Sequence, residues 1–197
     1  MARRKDHTHD EIRALALEAL QLHLQQQPAD TMSLRKLAQA IGYSPATLVN
    51  VFGSYDHLLL SVSAITLDRL AESLVHQSDH ELTAMQRLQF FGKTYLQFAQ
   101  QNTYCWQLLF EHRLPAGDEI PDWQQQRIDQ LFAMIEQALV ELSSDAENVR
   151  QAARTVWASV HGICTLSLGD KLFSDSLSNA DSMIESLIHH YVISWAR

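Results

Sequence analysis

The chain has 197 residues and a formal net charge of −8, with 46% hydrophobic and 19% charged residues, a balance that supplies packed cores and excludes wholesale disorder. Gly 6 and Pro 4 are too few for turn-rich sheet architectures and point to long helices. No run nears the roughly 18 apolar residues of a membrane span, and Met1 to Asp10 shows no apolar stretch of a secretory signal. Cys105 and Cys164 cannot build a disulfide framework and fit a reducing cytoplasm as small buried hydrophobes.

In chain order, Thr8-His9-Asp10-Glu11 has the spacing of a capping box, a hydroxyl followed three residues on by a carboxylate. Ile12, Leu15, Ala16 and Ala19 then recur at helical spacing until Gln25-Gln26-Gln27-Pro28. A short second helix fits Ser33 to Ile41, with Leu34, Leu37, Ala38 and Ile41 inward and Gly42 as its stop. Ser44-Pro45 pairs a capping serine with proline at the first helical position and opens a third helix to Phe52-Gly53. Ser54 caps a fourth that runs to about His76. Residues 81–101 and 104–113 read as two more, and Leu114 to Gly117 with Pro121 bracket a loop. Ile128, Leu131, Phe132, Ile135 and Leu139 mark a seventh helix. Ala153, Val156, Val160, Ile163 and Ser167 mark an eighth, and Ile184, Leu187, Ile188, Tyr191 and Trp195 a ninth. Period-2 alternation is absent, so the expected fold is all-α with about nine helices.

The second and third helices, joined by a tight turn at Gly42, form a helix-turn-helix pattern. Leu37, Ile41, Leu48 and Phe52 supply its core, Ala38 allows a close crossing, and Thr47 and Asn50 are left to face outward. An unrelated helical corner meets the same demands. The run from Ser33-Leu34-Arg35-Lys36 through Gly42-Tyr43-Ser44-Pro45 to Phe52-Gly53-Ser54-Tyr55-Asp56-His57-Leu58 resembles, however, the DNA-binding domain of the tetracycline-repressor-like (TetR) family. The resemblance covers roughly residues 1–60. Trp157-Ala158-Ser159-Val160-His161-Gly162 is similar to the motif of its Trp-x-x-x-His-Gly sub-group, as are the stretches around Tyr95 to Ala99 and Tyr104 to Phe110.

The resemblance implies a helix-turn-helix domain over 1–60, an effector-binding and dimerisation domain over 61–197, and a homodimer whose last two helices pack in a four-helix bundle. Two positions depart from the family: Val49 stands where a Tyr is usual, and Tyr55 where a Lys is usual. Both usual residues contact phosphate. Charge is distributed accordingly. Residues 1–60 hold Arg3, Arg4, Lys5, Arg13, Arg35 and Lys36 against as many acids, so the acidic excess lies entirely in 61–197.

The expected DNA contacts are Arg3, Arg4 and Lys5 as a basic arm, Ser33, Arg35 and Lys36 near a helix start, and Ser44, Pro45, Ala46, Thr47 and Asn50 on the recognition helix, with Tyr55 as a neutral phosphate donor. Asparagine can read adenine bidentately and threonine can touch a thymine methyl; simple capping or solvation accounts for the same residues. An apolar effector site is expected among Tyr95, Phe98, Trp106, Phe110, Trp123, Trp157 and His161, between the Tyr95–Phe110 region and the seventh helix. Ordinary core packing is the competing reading, above all for His161, whose neighbour Gly162 suggests a close helix approach. The apolar faces of the last two helices place Val156, Val160, Ile184, Leu187, Ile188 and Tyr191 at the dimer interface. No nucleotide loop, nucleophile elbow or metal-ligand spacing is present, so no catalytic residue, metal or cofactor is assigned. The reading is a cytoplasmic, ligand-responsive transcriptional repressor that binds double-stranded operator DNA as a homodimer, with an unknown small-molecule effector and no membrane partner. Its rivals are a regulator controlled by abundance or by a protein partner, and a small helical enzyme or metal-binding protein.

Overall fold

The computed structural model describes residues 7–75, 82–143, 145–172 and 178–196. Among them are nine α-helices and no strand: α1 (His9–Leu24), α2 (Leu34–Ala40), α3 (Pro45–Phe52), α4 (Tyr55–Val75), α5 (Ala84–Gln101), α6 (Thr103–Glu111), α7 (Asp122–Val140), α8 (Ala146–Leu168) and α9 (Ser178–Trp195), with a 3-10 turn over Ala29–Thr31.

Helix starts sit where local chemistry puts them. Thr8 Oγ1 accepts the Glu11 N–H at 3.3 Å while the Glu11 carboxylate accepts the Thr8 N–H at 2.7 Å, so the capping box closes in both directions. Ser33, Ser44 and Ser54 cap α2, α3 and α4 by accepting the N–H groups of Lys36, Thr47 and His57. Thr83 and Asp145 do the same for α5 and α8. Gly42 (φ +77°) and Gly53 (φ +86°) end α2 and α3 in the left-handed region, where a side chain would be strained.

The chain divides into two compact units, one of residues 1–66 with 102–124, the other of 67–101 with 125–197. In the first, α1, α2 and α3 pack on one another, and α6 packs on α1 and the 3-10 turn. Its core holds Ala16, Leu20, Leu37, Ala38, Leu48, Leu58 and Val62, all inaccessible to solvent, together with Cys105 and Leu108 from α6. The guanidinium of Arg13 donates to the Val51 carbonyl and lies over the Phe52 ring, 4.5 Å from its centroid, fastening α1 to the end of α3. In the second unit α9 lies along α5 and α8. Gly92 makes this possible: a Cβ there would stand 2.5 Å from Ile184 Cγ2. Among the described residues no helix is long and apolar enough to cross a membrane.

The division falls inside α4, between Thr66 and Leu67, whereas the sequence reading expected a boundary after residue 60; α6, expected beyond that boundary, belongs to the first unit.

Candidate functional site

In the first unit, Pro45, Ala46, Val49 and Asn50 are exposed along one face of α3, while Leu48, Val51 and Phe52 are buried on the other. This is the face available to a nucleic acid. Ser44 belongs to the cap, its Oγ also 2.9 Å from Thr47 Oγ1, and Thr47 is half-buried. Asn50 therefore presents the least encumbered polar head on the helix, and Val49, 40% exposed, is an apolar surface beside it. At the start of α2, Ser33 Oγ is occupied as the cap and Lys36 Nζ donates to the Thr31 carbonyl at 2.9 Å. Arg35 is exposed and enters no ion pair of the described residues. Arg3, Arg4 and Lys5 lie outside the described residues.

Tyr55 is a correction to the sequence reading. Its hydroxyl donates inward to the Met32 carbonyl at 3.1 Å, and burial, with Asp56 adding to it, pushes its pKa up to about 12. The proton expected for a phosphate is already committed inside the protein.

In the second unit, Leu70, Leu74, Leu88, Phe91, Gly92, Tyr95, Leu131, Ile135, Val156, Trp157, Val160 and Ile188 line an apolar cavity of about 60 Å³. Beside it Tyr95 and His161 form a hydrogen bond of 2.8 Å between the hydroxyl and Nδ1, and the Trp157 ring stacks on His161 at 5.3 Å. Burial holds the His161 pKa below its ordinary value, favouring the neutral ring. Phe132 and Trp157 meet edge-to-face, and Arg154 reaches both the Phe132 ring and, at 3.0 Å, Glu136, contacts that tie α7 to α8. Among the described residues no group of three or more His, Cys, Asp or Glu is placed to hold a metal ion. Cys105 and Cys164 are buried thiols, and burial with Asp181 nearby pushes the Cys164 pKa up to about 12.

The expected effector set is thus divided. Tyr95 and Trp157 line the cavity and His161 touches both, whereas Phe98 is buried on α5 without lining it. Trp106, Phe110 and Trp123 belong to the first unit, Trp106 packing edge-on against Phe110 at 5.1 Å. Asn102, whose backbone is non-helical (φ −128°, ψ 40°), separates α5 from α6 where the sequence also ends one helix and begins another, but helical spacing does not say which unit the second helix joins. The expected dimer residues need a similar correction. Val156, Val160, Ile184 and Ile188 are buried inside the protomer, where they fill the α5–α8–α9 core; Leu187 and Tyr191 are half-buried. Gly162, expected at a close helix approach, has nothing within 4 Å of where its Cβ would be.

A model of the family described as "Tetracyclin repressor-like, C-terminal domain" matches residues 88–191, more than half of the chain. No curated protein matches the sequence. Among solved structures, a protein with unknown function from Rhodococcus sp. RHA1 is similar over 100% of both chains, with a TM-score of 0.74 and 19% identity. A TetR transcriptional regulator from the same organism covers 94% of this chain and 96% of its own, with a TM-score of 0.64 and 14% identity. One from Legionella pneumophila covers 94% and 98%, with a TM-score of 0.63 and 17% identity. These likenesses carry the fold. With the family match running from α5 into α9 and an exposed recognition-type helix in the first unit, the chain belongs to the tetracycline-repressor-like family of DNA-binding transcriptional regulators.

Proposed function

We propose that this chain is a cytoplasmic, homodimeric repressor that a small apolar or aromatic effector releases from its operator. The observation that carries the ligand-responsive part is the apolar cavity with the Tyr95–His161–Trp157 group at its edge. A greasy enclosure with a few oriented polar groups is what an effector pocket requires. At about 60 Å³ it has room for water-sized molecules but not for the roughly 300–1,000 Å³ of a typical ligand site. An effector must therefore displace a wall, and α7, fastened to α8 through Phe132 and Arg154 and to α4 through the Arg127–Asp68 ion pair, is the wall that yields. Ligand affinity is then affinity for the opened conformer, and the population shifts with it. A coupling of about 1–3 kcal/mol lowers operator affinity roughly 5–150-fold.

On the DNA side, Asn50 and Val49 read bases, the latter through a thymine methyl, while Arg35 and the Arg3-Arg4-Lys5 arm supply phosphate contacts. Domain roles follow the resemblance: residues 1–60 bind DNA and 61–197 hold the effector and the dimer contact. That contact runs along the outer faces of α8 and α9. Thr155, Ser159, Gly162 and Leu166 recur at helical spacing on one, and Met183, Ser186, His190 and Ile193 on the other.

The test is a screen for apolar and aromatic molecules that release the chain from a selected operator, repeated on Leu131→Trp, which fills the cavity. Effectors should lose at least tenfold in potency on that variant while operator affinity without effector holds. Equal potency on both proteins places the effector elsewhere. If no molecule in a broad screen releases DNA, control by abundance or a protein partner replaces this reading.

A further inference from the structure

We propose that α1 is a positioning clamp for α3: His7 and Arg13 hold the two ends of that helix at the angle base reading requires, and so set operator specificity without touching DNA. Resting on the reading of Asn50 and Val49 as base contacts, this makes α1 part of the recognition machinery. At eight residues, α3 is only about 12 Å long. Its covalent connections pass through Gly42 (φ +77°) and Gly53 (φ +86°), which lack the side chain that would stiffen them. Leu48, Val51 and Phe52 bury its inner face, but apolar burial has no preferred direction and leaves tilt and rotation loosely set.

Directional contacts come from α1 at each end. The capping box of Thr8 and Glu11 fixes the start of α1, and His7, immediately before it, meets Tyr43, with 2.5 Å between His7 Nδ1 and the Tyr43 hydroxyl. Tyr43 directly precedes Ser44, the cap of α3. At the other end Arg13 Nη2 donates to the Val51 carbonyl at 2.5 Å, and the guanidinium lies 4.5 Å from the centroid of the Phe52 ring. The last carbonyls of a helix lack partners in its own backbone. The Gly53 N–H serves Val49, and Arg13 supplies both a donor for Val51 and the positive charge that a helix C-terminus favours. Asn50 is one residue from that anchor. A base-reading side chain must be held within about 0.5 Å of its productive position, whereas phosphate contacts carry no sequence information. Loosening either end of α3 therefore costs selectivity and spares non-specific binding. The Arg13 guanidinium, committed inward, adds nothing to the phosphate contacts.

The experiment measures the affinity of the native full chain, Arg13→Met and His7→Phe for an operator selected from a random duplex pool and for a scrambled duplex, at several salt concentrations. Each substitution keeps apolar bulk against Phe52 or Tyr43 and removes the polar group, with circular dichroism and melting temperature as folding controls. The ratio of selected to scrambled affinity should fall at least fivefold in both variants. The slope of log affinity against log salt on the scrambled duplex should stay that of the native chain. A merely structural role lowers both affinities together, and an unchanged ratio in either folded variant overturns the proposal. So does a slope shallower by about 0.9 per chain in Arg13→Met, which makes that residue a phosphate contact. His7 lies outside the core of the first unit, so His7→Phe decides the matter if Arg13→Met does not fold. Failure of the native chain to prefer any duplex overturns the reading of α3 itself, and the clamp with it.

Discussion

Tyr55 and His161 show how little a side chain's identity says about its role until its neighbours are known. The Tyr55 hydroxyl is bonded to the Met32 carbonyl rather than offered to solvent. Tyr55→Phe should therefore cost about 1 kcal/mol of stability, the worth of one net hydrogen bond, and leave the salt dependence of DNA binding unchanged. Chemical denaturation and binding isotherms at several salt concentrations check both halves. For His161, burial lowers the pKa from its ordinary 6.5. The unfolded chain then takes up a proton that the folded chain resists, so this residue's contribution is complete above about 6.5 and shrinks as pH falls below it. In urea unfolding, the stability gap between the native protein and His161→Gln should narrow between neutral pH and pH 5. A constant gap contradicts the assignment of a neutral, half-buried ring.

Helices were legible because their ends are local chemistry. Thr8 with Glu11, Ser33, Ser44-Pro45 and Gly53 need no distant partner to act, and each ends or starts a helix where the sequence places it. Ser44→Ala should cost about 1 kcal/mol through loss of the cap on α3. What the sequence could not convey is which face of a helix finds which neighbour. Val156, Val160, Ile184 and Ile188 form stripes suited equally to a dimer seam and to the protomer's own core, and it is Gly92 on α5 that draws α9 inward to bury them. Gly92→Ala sets a helix-propensity gain of about 1 kcal/mol against overpacking of about 1–3 kcal/mol. Since the clash is with a branched Ile184 methyl at 2.5 Å, overpacking should win and the melting temperature should drop. The sequence likewise separates residues 81–101 from 104–113, but no spacing rule says that Cys105 and Leu108 of α6 pack into the core of the first unit with residues far back in the chain.

The proposed repressor works as two chains. Met183 and Ile193 are 41% and 42% exposed on the outer face of α9, where a second chain would cover them. Gly162 lies in open space within its own chain, so the protomer tolerates a large side chain there while a partner helix packed against α8 does not. Gly162→Trp should give a folded monomer by light scattering and circular dichroism, with operator binding lost. A folded dimer in that variant places the interface elsewhere.

Operator recognition is tested most directly by selection of DNA by the purified full chain from a randomised duplex pool, followed by affinity measurement on the recovered sequence and a scrambled control. A dimer presenting two α3 helices requires a palindrome with half-site centres about 34–36 Å apart or a multiple of it. It should bind that site on the order of 10³-fold or more above the scrambled duplex, with Asn50→Ala losing about 1–3 kcal/mol on the selected site only. Recovery of no enriched sequence, or equal affinity for the selected and scrambled duplexes, contradicts the account.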